Sequence, residues 1–263
     1  MAKIIAVTNR RGKVGKSTTA VNLSIAFAYS GKKTLLADLD SACSCAKVFG
    51  FKKREIAKDV FAGSKPEVSF RKAILKTSIK NLDFIYIKRL PYLDEMRVGG
   101  ISANVHILKT TLKPVSNKYD YVIMDCPPYH AGTINASLIV ADSVIIPVAL
   151  GMFSADAVRS VLAQIEEIKE NYNPDLTIDG ILLTIYEFNN ENSFALKKEL
   201  FKDYAQLMFN TSIPKRSVVS EAFENNKPLL VFKPDDRASK AYVKVADELF
   251  ERKGLFNSKK KNE

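Results

Sequence analysis

Ala6-Val7-Thr8-Asn9-Arg10-Arg11-Gly12-Lys13-Val14-Gly15-Lys16-Ser17-Thr18-Thr19 lies between a short apolar run, Lys3 to Thr8, and a run of helical character, Thr18 to Tyr29. A strand therefore turns into a helix through a loop rich in Gly and cations. Backbone N–H groups of such a loop, the positive end of the following helix dipole and a Lys together cradle a polyphosphate. The Gly15-Lys16-Ser17 core matches the end of the phosphate-binding loop pattern. In that pattern the Lys reaches the β/γ-phosphates and the hydroxyl ligates Mg²⁺. The match is incomplete, because Arg10 stands where the pattern has its first Gly. On this stretch alone, a basic loop that merely caps a helix remains the alternative.

Two further stretches bear on that choice. Thr34-Leu35-Leu36-Ala37-Asp38-Leu39-Asp40 reads as a buried strand that delivers two carboxylates at its carboxyl end. Parallel sheets present their ligand-binding groups at that edge, so Asp38 and Asp40 are expected to face the crevice that holds Lys16. Asp120-Tyr121-Val122-Ile123-Met124-Asp125-Cys126-Pro127-Pro128 reads as a central strand ending in Asp125, after which two prolines forbid continuation of ladder or helix. A carboxylate there suits Mg²⁺ held through water while Ser17 holds it directly, since Mg²⁺ keeps several waters and takes few carboxylates. This is the Walker B role.

Beyond Asp125 the pattern alternates regularly. Gly132 to Val140 reads as helix, Ser143 to Val148 as strand, Ser154 to Asn171 as amphipathic helix, Ile178 to Thr184 as strand and Ser193 to Met208 as helix. Ile213 to Arg216, Leu229 to Phe232 and a last helix from about Arg237 to Arg252 follow. Alternating strands and helices imply right-handed βαβ units and a mostly parallel sheet with helices on both faces. The expected class is a single-domain α/β protein of the P-loop NTPase fold over residues 1–253, with 254–263 a frayed basic tail. Residues 47–118 read as a peripheral insertion, with a strand at Leu82 to Ile87 and helical stretches around Arg71 to Lys76 and Ile101 to Leu112. Lys52, Lys53, Arg54, Lys88 and Arg89, near Phe51, Tyr86 and Tyr92, are its candidate partner contacts, against a solvated surface as the plainer reading.

Composition sets the outer limits. The 263 residues are 46% hydrophobic and 26% charged, which excludes wholesale disorder. No apolar run reaches membrane-spanning length, and Ile4 to Val7 is too short for a signal-peptide core, so a cytoplasmic location is expected. Cys43, Cys45 and Cys126 lack metal-ligand spacing and read as reduced structural residues. The net charge of +11 is uneven: residues 1–118 hold 23 Lys and Arg against 8 Asp and Glu, and residues 119–263 hold 17 against 21. Such a field favours a polyanion, either nucleotide or nucleic acid.

The loop, read as Asn9 to Thr19 with Asn22-Leu23, resembles the deviant Walker A motif of the ParA/Soj-type partition ATPases, relatives of MinD, whose pattern is Lys-Gly-Gly-Val-Gly-Lys-Thr. The likeness continues through Leu36 to Asp40, Tyr119 to Pro128, Ala141 to Val148 and Gly180 to Thr184, and resumes at Ile213-Pro214, Ser220 to Ala222, Lys227-Pro228 and Pro234 to Tyr242. It is weakest over 47–118.

The resemblance implies an ATPase that forms a homodimer around ATP and Mg²⁺. It places Gly12, Lys13, Val14 and Gly15 in the phosphate loop, Lys16 on the β/γ-phosphates, Ser17 on the metal and Thr18 at the α-phosphate. Asp40 corresponds to the residue that positions water, Asp38 to a neighbour of the metal and Asp125 to the Walker B carboxylate. Arg11 stands where the family has the Lys that crosses the dimer. Thr184, Ile213 and Pro214 fall where the family lines its adenine pocket. Non-specific DNA, with nucleoid association in the ATP state, and a ParB-like centromere-binding protein are the implied partners, with no stable membrane insertion.

Four departures stand out. Arg11 replaces a compact ammonium by a planar fork, Lys13 replaces the family's second Gly, and Ser41-Ala42 replaces Pro-Gln. Asn189 and Val218 stand where relatives often place DNA-binding Arg, leaving Lys215, Arg216, Lys233 and Arg237 as candidates. Two alternatives stay open. One is a MinD-like membrane-cycling ATPase, for which Leu249 to Phe256 is faintly amphipathic but interrupted by Gly254. The other is a nucleotide-switched scaffold whose hydrolysis is impaired at Arg11 and Lys13.

Overall fold

The computed structural model describes residues 1–52, 71–86, 105–106, 108–109, 112, 115–128, 131–150 and 154–259. Its centre is a seven-stranded sheet of β1 (Lys3–Val7), β2 (Thr34–Asp38), β3 (Leu75–Lys76), β4 (Leu82–Tyr86), β5 (Tyr121–Asp125), β6 (Ser143–Ala149) and β7 (Thr177–Thr184). The order is β3-β4-β2-β5-β1-β6-β7, parallel throughout except for β3. Strands β2 and β6 are buried along their whole length, with apolar interiors (Leu35 to Ala37, Val144 to Ala149) and polar residues only at their ends, as a doubly covered parallel sheet requires. Pro147 is tolerated inside β6 because β1 pairs with β6 only as far as Ile145 and then leaves as the loop. No donor toward β1 is needed there.

Helices cover both faces. On one side α1 (Lys16–Tyr29) and α8 (Arg237–Lys259) pack with α2 (Ser44–Val48), α6 (Ser217–Glu224) and α7 (Leu229–Phe232) against Ile5, Val7, Leu36, Ile123, Ile145 and Leu182. On the other, α3 (Ala131–Val140), α4 (Ser154–Asn171) and α5 (Glu191–Tyr204) pack against the alternate strand residues, among them Ala6, Ala37, Met124, Val144 and Ile181. Alternation of side chains along each strand thus builds two separate cores. At the end of α1 the Gly31 N–H donates to the Ala28 carbonyl and the Lys32 N–H to Phe27, with Gly31 at φ +79°. That is a Schellman turn, and it aims the chain into β2.

Most sequence-predicted elements fall where the periodicity puts them, and four do not. Residues 71–73 are helical but Leu75–Lys76 is a strand: Lys76 pairs with Asp83 at 2.7 Å, and the Thr77 hydroxyl donates to the Ile79 and Leu82 carbonyls. A turn closed by Asn81 at φ +67° wins over so short a helix. The expectation that 47–118 is peripheral does not hold for Leu82–Tyr86, which is wholly buried and paired along its length with β2. Helix α5 runs from Glu191 to Tyr204, not Ser193 to Met208: the Asn190 side chain caps its start by accepting from the Ser193 N–H at 3.2 Å, and beyond its end Met208 bridges Ile181 of β7. Helix α8 runs to Lys259, past the expected start of a tail at 254, since one internal Gly costs a helix only about 1 kcal/mol. Lys53, Arg54, Lys88, Arg89, Tyr92 and Ile101 lie outside the described residues.

Candidate active site

Side chains from within and beyond the loop between β1 and α1 hold its backbone in place. Asn9, 1% exposed, donates from Nδ2 to the Pro147 carbonyl at 2.8 Å and accepts the Arg11 N–H on Oδ1 at 2.9 Å. This nails the loop to the end of β6. Lys13 at φ +61° and Gly15 at φ +79° turn the backbone through the left-handed region twice. Gly takes that conformation freely, whereas a Lys pays about 1 kcal/mol, so the Lys-for-Gly departure falls where it matters. The Thr184 hydroxyl donates to the Val14 carbonyl at 2.8 Å and its side chain packs over Gly15. Among the described residues no side chain caps the start of α1, so its first N–H groups face the space a ligand would fill.

Lys16 is buried, with Nζ donating to the Arg11 carbonyl at 2.7 Å. Burial pushes its pKa down, and the negative charges of Asp125 and Asp40 pull it partly back. Opposite stand the carboxylates. The β2–β5 register pairs Asp38 directly with Asp125, so two acids end adjacent strands side by side. Asp38 is fully buried; its oxygens accept the N–H groups of Asp40 and Cys45, each at 3.1 Å. Burial, then repulsion from Asp125, raises its pKa well above the usual carboxylate range. Burial pushes Asp125 up to about 6, against the lowering effect of hydrogen bonds from Ser17 and Cys45. The Cys45 thiol donates to Asp125 Oδ2 at 3.2 Å, while Asp125 Oδ1 has no hydrogen-bond partner among the described residues.

Two adjoining cavities open beside these groups. The first, about 290 Å³, is lined by Gly12, Lys13, Lys16, Ser17, Asp40 and Phe223 among others. The second, about 360 Å³, is lined by Thr184, Ile213, Pro214 and Tyr242, and both share Gly15, Thr18 and Val219. Residues read from sequence as loop and water-positioning groups line the first cavity and those read as adenine contacts the second, the two walls meeting at Gly15, Thr18 and Val219. Val14 lines neither; its side chain is buried and its carbonyl is taken by Thr184. Asp38 and Asp125 lie behind them, at the strand ends. Sequence reasoning missed Asn9 as the loop's anchor, Cys45 as a donor to Asp125, and the α6 residues Val219 and Phe223 that wall the space. No local pattern marks them, since each acts on residues distant in the chain.

The cation candidates near this edge are largely engaged. Lys215 pairs with Glu187 and Arg216 with Asp236, both at 3.0 Å. Lys233 lies over the Phe232 ring at 6.0 Å, and Val218 is buried.

A phosphate-binding loop between the first strand and first helix, with acids ending the two neighbouring strands on one side, defines a P-loop nucleoside-triphosphatase. Comparison with known proteins narrows the class. A family model described as AAA domain matches residues 2–178. The sporulation initiation inhibitor protein Soj of Bacillus subtilis is 34% identical over 251 residues, covering 95% of this chain and 98% of Soj. The chromosome partitioning protein ParA of Caulobacter vibrioides is 31% identical over 256 residues, covering 95% and 94%. Among solved structures, cobyrinic acid a,c-diamide synthase from Mycobacterium smegmatis, with bound ADP and magnesium, shares the fold at a TM-score of 0.76 and 24% identity, covering 94% of this chain and 93% of that one. The chain belongs to the ParA/Soj family of P-loop ATPases.

Proposed function

We propose that the protein is an ATP-switched partition ATPase that dimerises around nucleotide, holds non-specific DNA in that state and is released when a ParB-like partner stimulates slow hydrolysis. What carries this reading is the meeting of Lys16, Ser17 and Asp40 on one cavity, with Asp125 directly behind it.

The residues fit a magnesium ion. Asp125 Oδ1 is a buried carboxylate oxygen without a partner among the described residues, the Ser17 hydroxyl faces the same carboxylate, and both are hard oxygen donors. Ser17 and Asp125 would hold the ion, with Asp38 its neighbour; Mg²⁺ supplies neutralisation of charge on the β- and γ-phosphate oxygens. Lys16 would exchange the Arg11 carbonyl for a phosphate oxygen, and the α1 N–H groups would take the remaining phosphate charge. Thr18 would meet the α-phosphate, while Thr184, Ile213 and Pro214 would enclose the base. Asp40 orients the attacking water. Arg11 reaches the nucleotide of the second subunit and stabilises charge as the γ-phosphoryl transfers.

The test is retention on non-specific duplex DNA. ATP-loaded protein is expected to bind at low salt and release as salt rises, whereas ADP-loaded protein binds weakly. Absence of ATP-dependent retention at low salt would sink the partition reading.

A further inference from the structure

The amino edge of the sheet, opposite the phosphate loop, carries a third cavity, which shares no lining residue with the two beside the loop. It encloses about 830 Å³ and is lined by Lys33, Arg71, Lys76, Lys80, Asp83 and Lys118 among others. Sheet topology sets the order of its cations. Strands β4, β2 and β5 are consecutive, and Lys80, Lys33 and Lys118 lie one to three residues before their first residues. Backbone bonds tie these three entrances together: the Thr34 N–H donates to the Asn81 carbonyl at 2.8 Å, and the Asp120 N–H to the Lys33 carbonyl at 2.7 Å. Neighbouring strands are about 4.8 Å apart, so the three lysines leave the edge in a row.

Little opposes their charge. Asp83 is the one carboxylate lining the cavity among the described residues, and it is already engaged by Lys76 at 2.7 Å and by the Tyr119 hydroxyl at 2.8 Å. Asp120, beside the cavity, accepts the Lys33 backbone N–H at 2.8 Å. Lys33, Arg71, Lys80 and Lys118 are all exposed. A row of cations repels itself, and a polyanion with regularly spaced charges relieves the repulsion while releasing its own counterions. A single phosphate would satisfy only one of them.

We propose that this amino-edge groove is a contact surface for the phosphate backbone of duplex DNA, centred on Lys33, Lys80 and Lys118. The inference rests on the DNA-binding reading above and specifies where the DNA lies. Of the 23 Lys and Arg in residues 1–118, Lys33, Arg71, Lys76, Lys80 and Lys118 line this groove. Contact there also leaves the carboxyl edge free, so nucleotide, a second subunit and DNA are bound at once.

The test compares the full chain with the triple variant K33Q/K80Q/K118Q and with K215Q/R216Q, all ATP-loaded, by anisotropy on a labelled duplex of arbitrary sequence across a salt series. Each lost phosphate contact lowers the slope of log K against log salt by about 0.9, so the triple variant is expected to lose about 2 to 3 from the slope and at least about 10-fold in affinity at moderate salt. An unchanged thermal transition reports an intact fold. Wild-type affinity and slope in the triple variant would overturn the inference while leaving the DNA reading standing. If the unmodified protein fails to bind DNA at any salt, the DNA reading itself falls and the inference with it. Phosphatidylglycerol vesicles form the last arm: lysine-dependent binding to them in preference to DNA would also overturn it.

Discussion

Lys13 and Asp125 hold the costs of this site, and each cost is measurable. At φ +61° Lys13 occupies a conformation that side chains with a Cβ reach at about 1 kcal/mol, and it is exposed, so its side chain has no buried contact to lose. Lys13→Gly is expected to raise unfolding stability by about 0.5–1 kcal/mol, read as a higher urea midpoint at constant m-value; the greater freedom of Gly in the unfolded chain keeps the gain below the full strain. No gain would mean that neighbouring contacts hold the loop in this shape at no cost to Lys13. Asp125 acts in the other direction. Its folded pKa of about 6 lies above the unfolded value of about 3.9. The folded state therefore binds the proton more tightly, and this contribution to stability is present below about pH 4 and lost as pH rises through 6. Without nucleotide or metal, Asp125→Asn should stabilise the protein by about 2–3 kcal/mol at pH 7.5 and by little at pH 4, measured by urea unfolding at the two values. Equal effects at both pH values would show that the carboxylate is not strained. At this scale the site was legible wherever a residue closes a local pattern: Lys16 and Ser17 follow Gly15, and Asp40 and Asp125 end apolar runs. Asn9 and Cys45 were not legible, because their partners, Pro147 and Asp125, are brought to them only by the fold.

Strands were the most readable elements, since burial on both faces makes a parallel strand one continuous apolar run ending at the ligand edge. Helix α4 was equally plain, with its polar and apolar faces set at helical spacing from Ser154 to Asn171. Helix α6 escaped notice because Ser217 to Glu224 spans barely two turns, and its apolar residues face the nucleotide cavity and only part of the core. Strand β3 was misread because two residues carry no period at all, and its identity comes from pairing with Phe84 and Asp83. The packing of α8 on β7 gives the sharpest element-scale test. A Cβ on Gly180 would lie 2.6 and 2.9 Å from ring atoms of Phe209 and 3.0 Å from Arg252 Nη1. Phe209 is 1% exposed, and Arg252 stacks on it at 4.6 Å while donating to the Asp179 and Met208 carbonyls, so neither neighbour yields easily. Gly180→Ala is expected to destabilise by about 1–3 kcal/mol in thermal or urea unfolding. A neutral result would show that Phe209 and the end of α8 move as a unit.

At the scale of the whole molecule, the two ends of the sheet divide the work. The carboxyl edge gathers acids and a phosphate loop and the amino edge gathers cations, and the proposed nucleotide-dependent dimer would join copies at the former without covering the latter. Arg11 decides whether that division operates. The backbone of Arg11 is held by neighbouring side chains, its N–H by Asn9 Oδ1 and its carbonyl by Lys16 Nζ. Truncation of the side chain keeps both of these backbone contacts, which do not involve side-chain atoms of Arg11. A ligand at 100 times its dissociation constant stabilises a folded protein by about 2.7 kcal/mol. Arg11→Ala is expected to keep most of that ATP-induced gain but to remain a monomer in ATP by light scattering, whereas Lys16→Ala should lose the gain itself. Arg11→Lys offers a charge without the planar fork, so any recovery of the dimer it gives reports how far a point charge suffices at this contact. If Arg11→Ala forfeits the nucleotide-induced stabilisation as fully as Lys16→Ala does, Arg11 serves the nucleotide of its own subunit, and the proposed contact across the dimer is wrong.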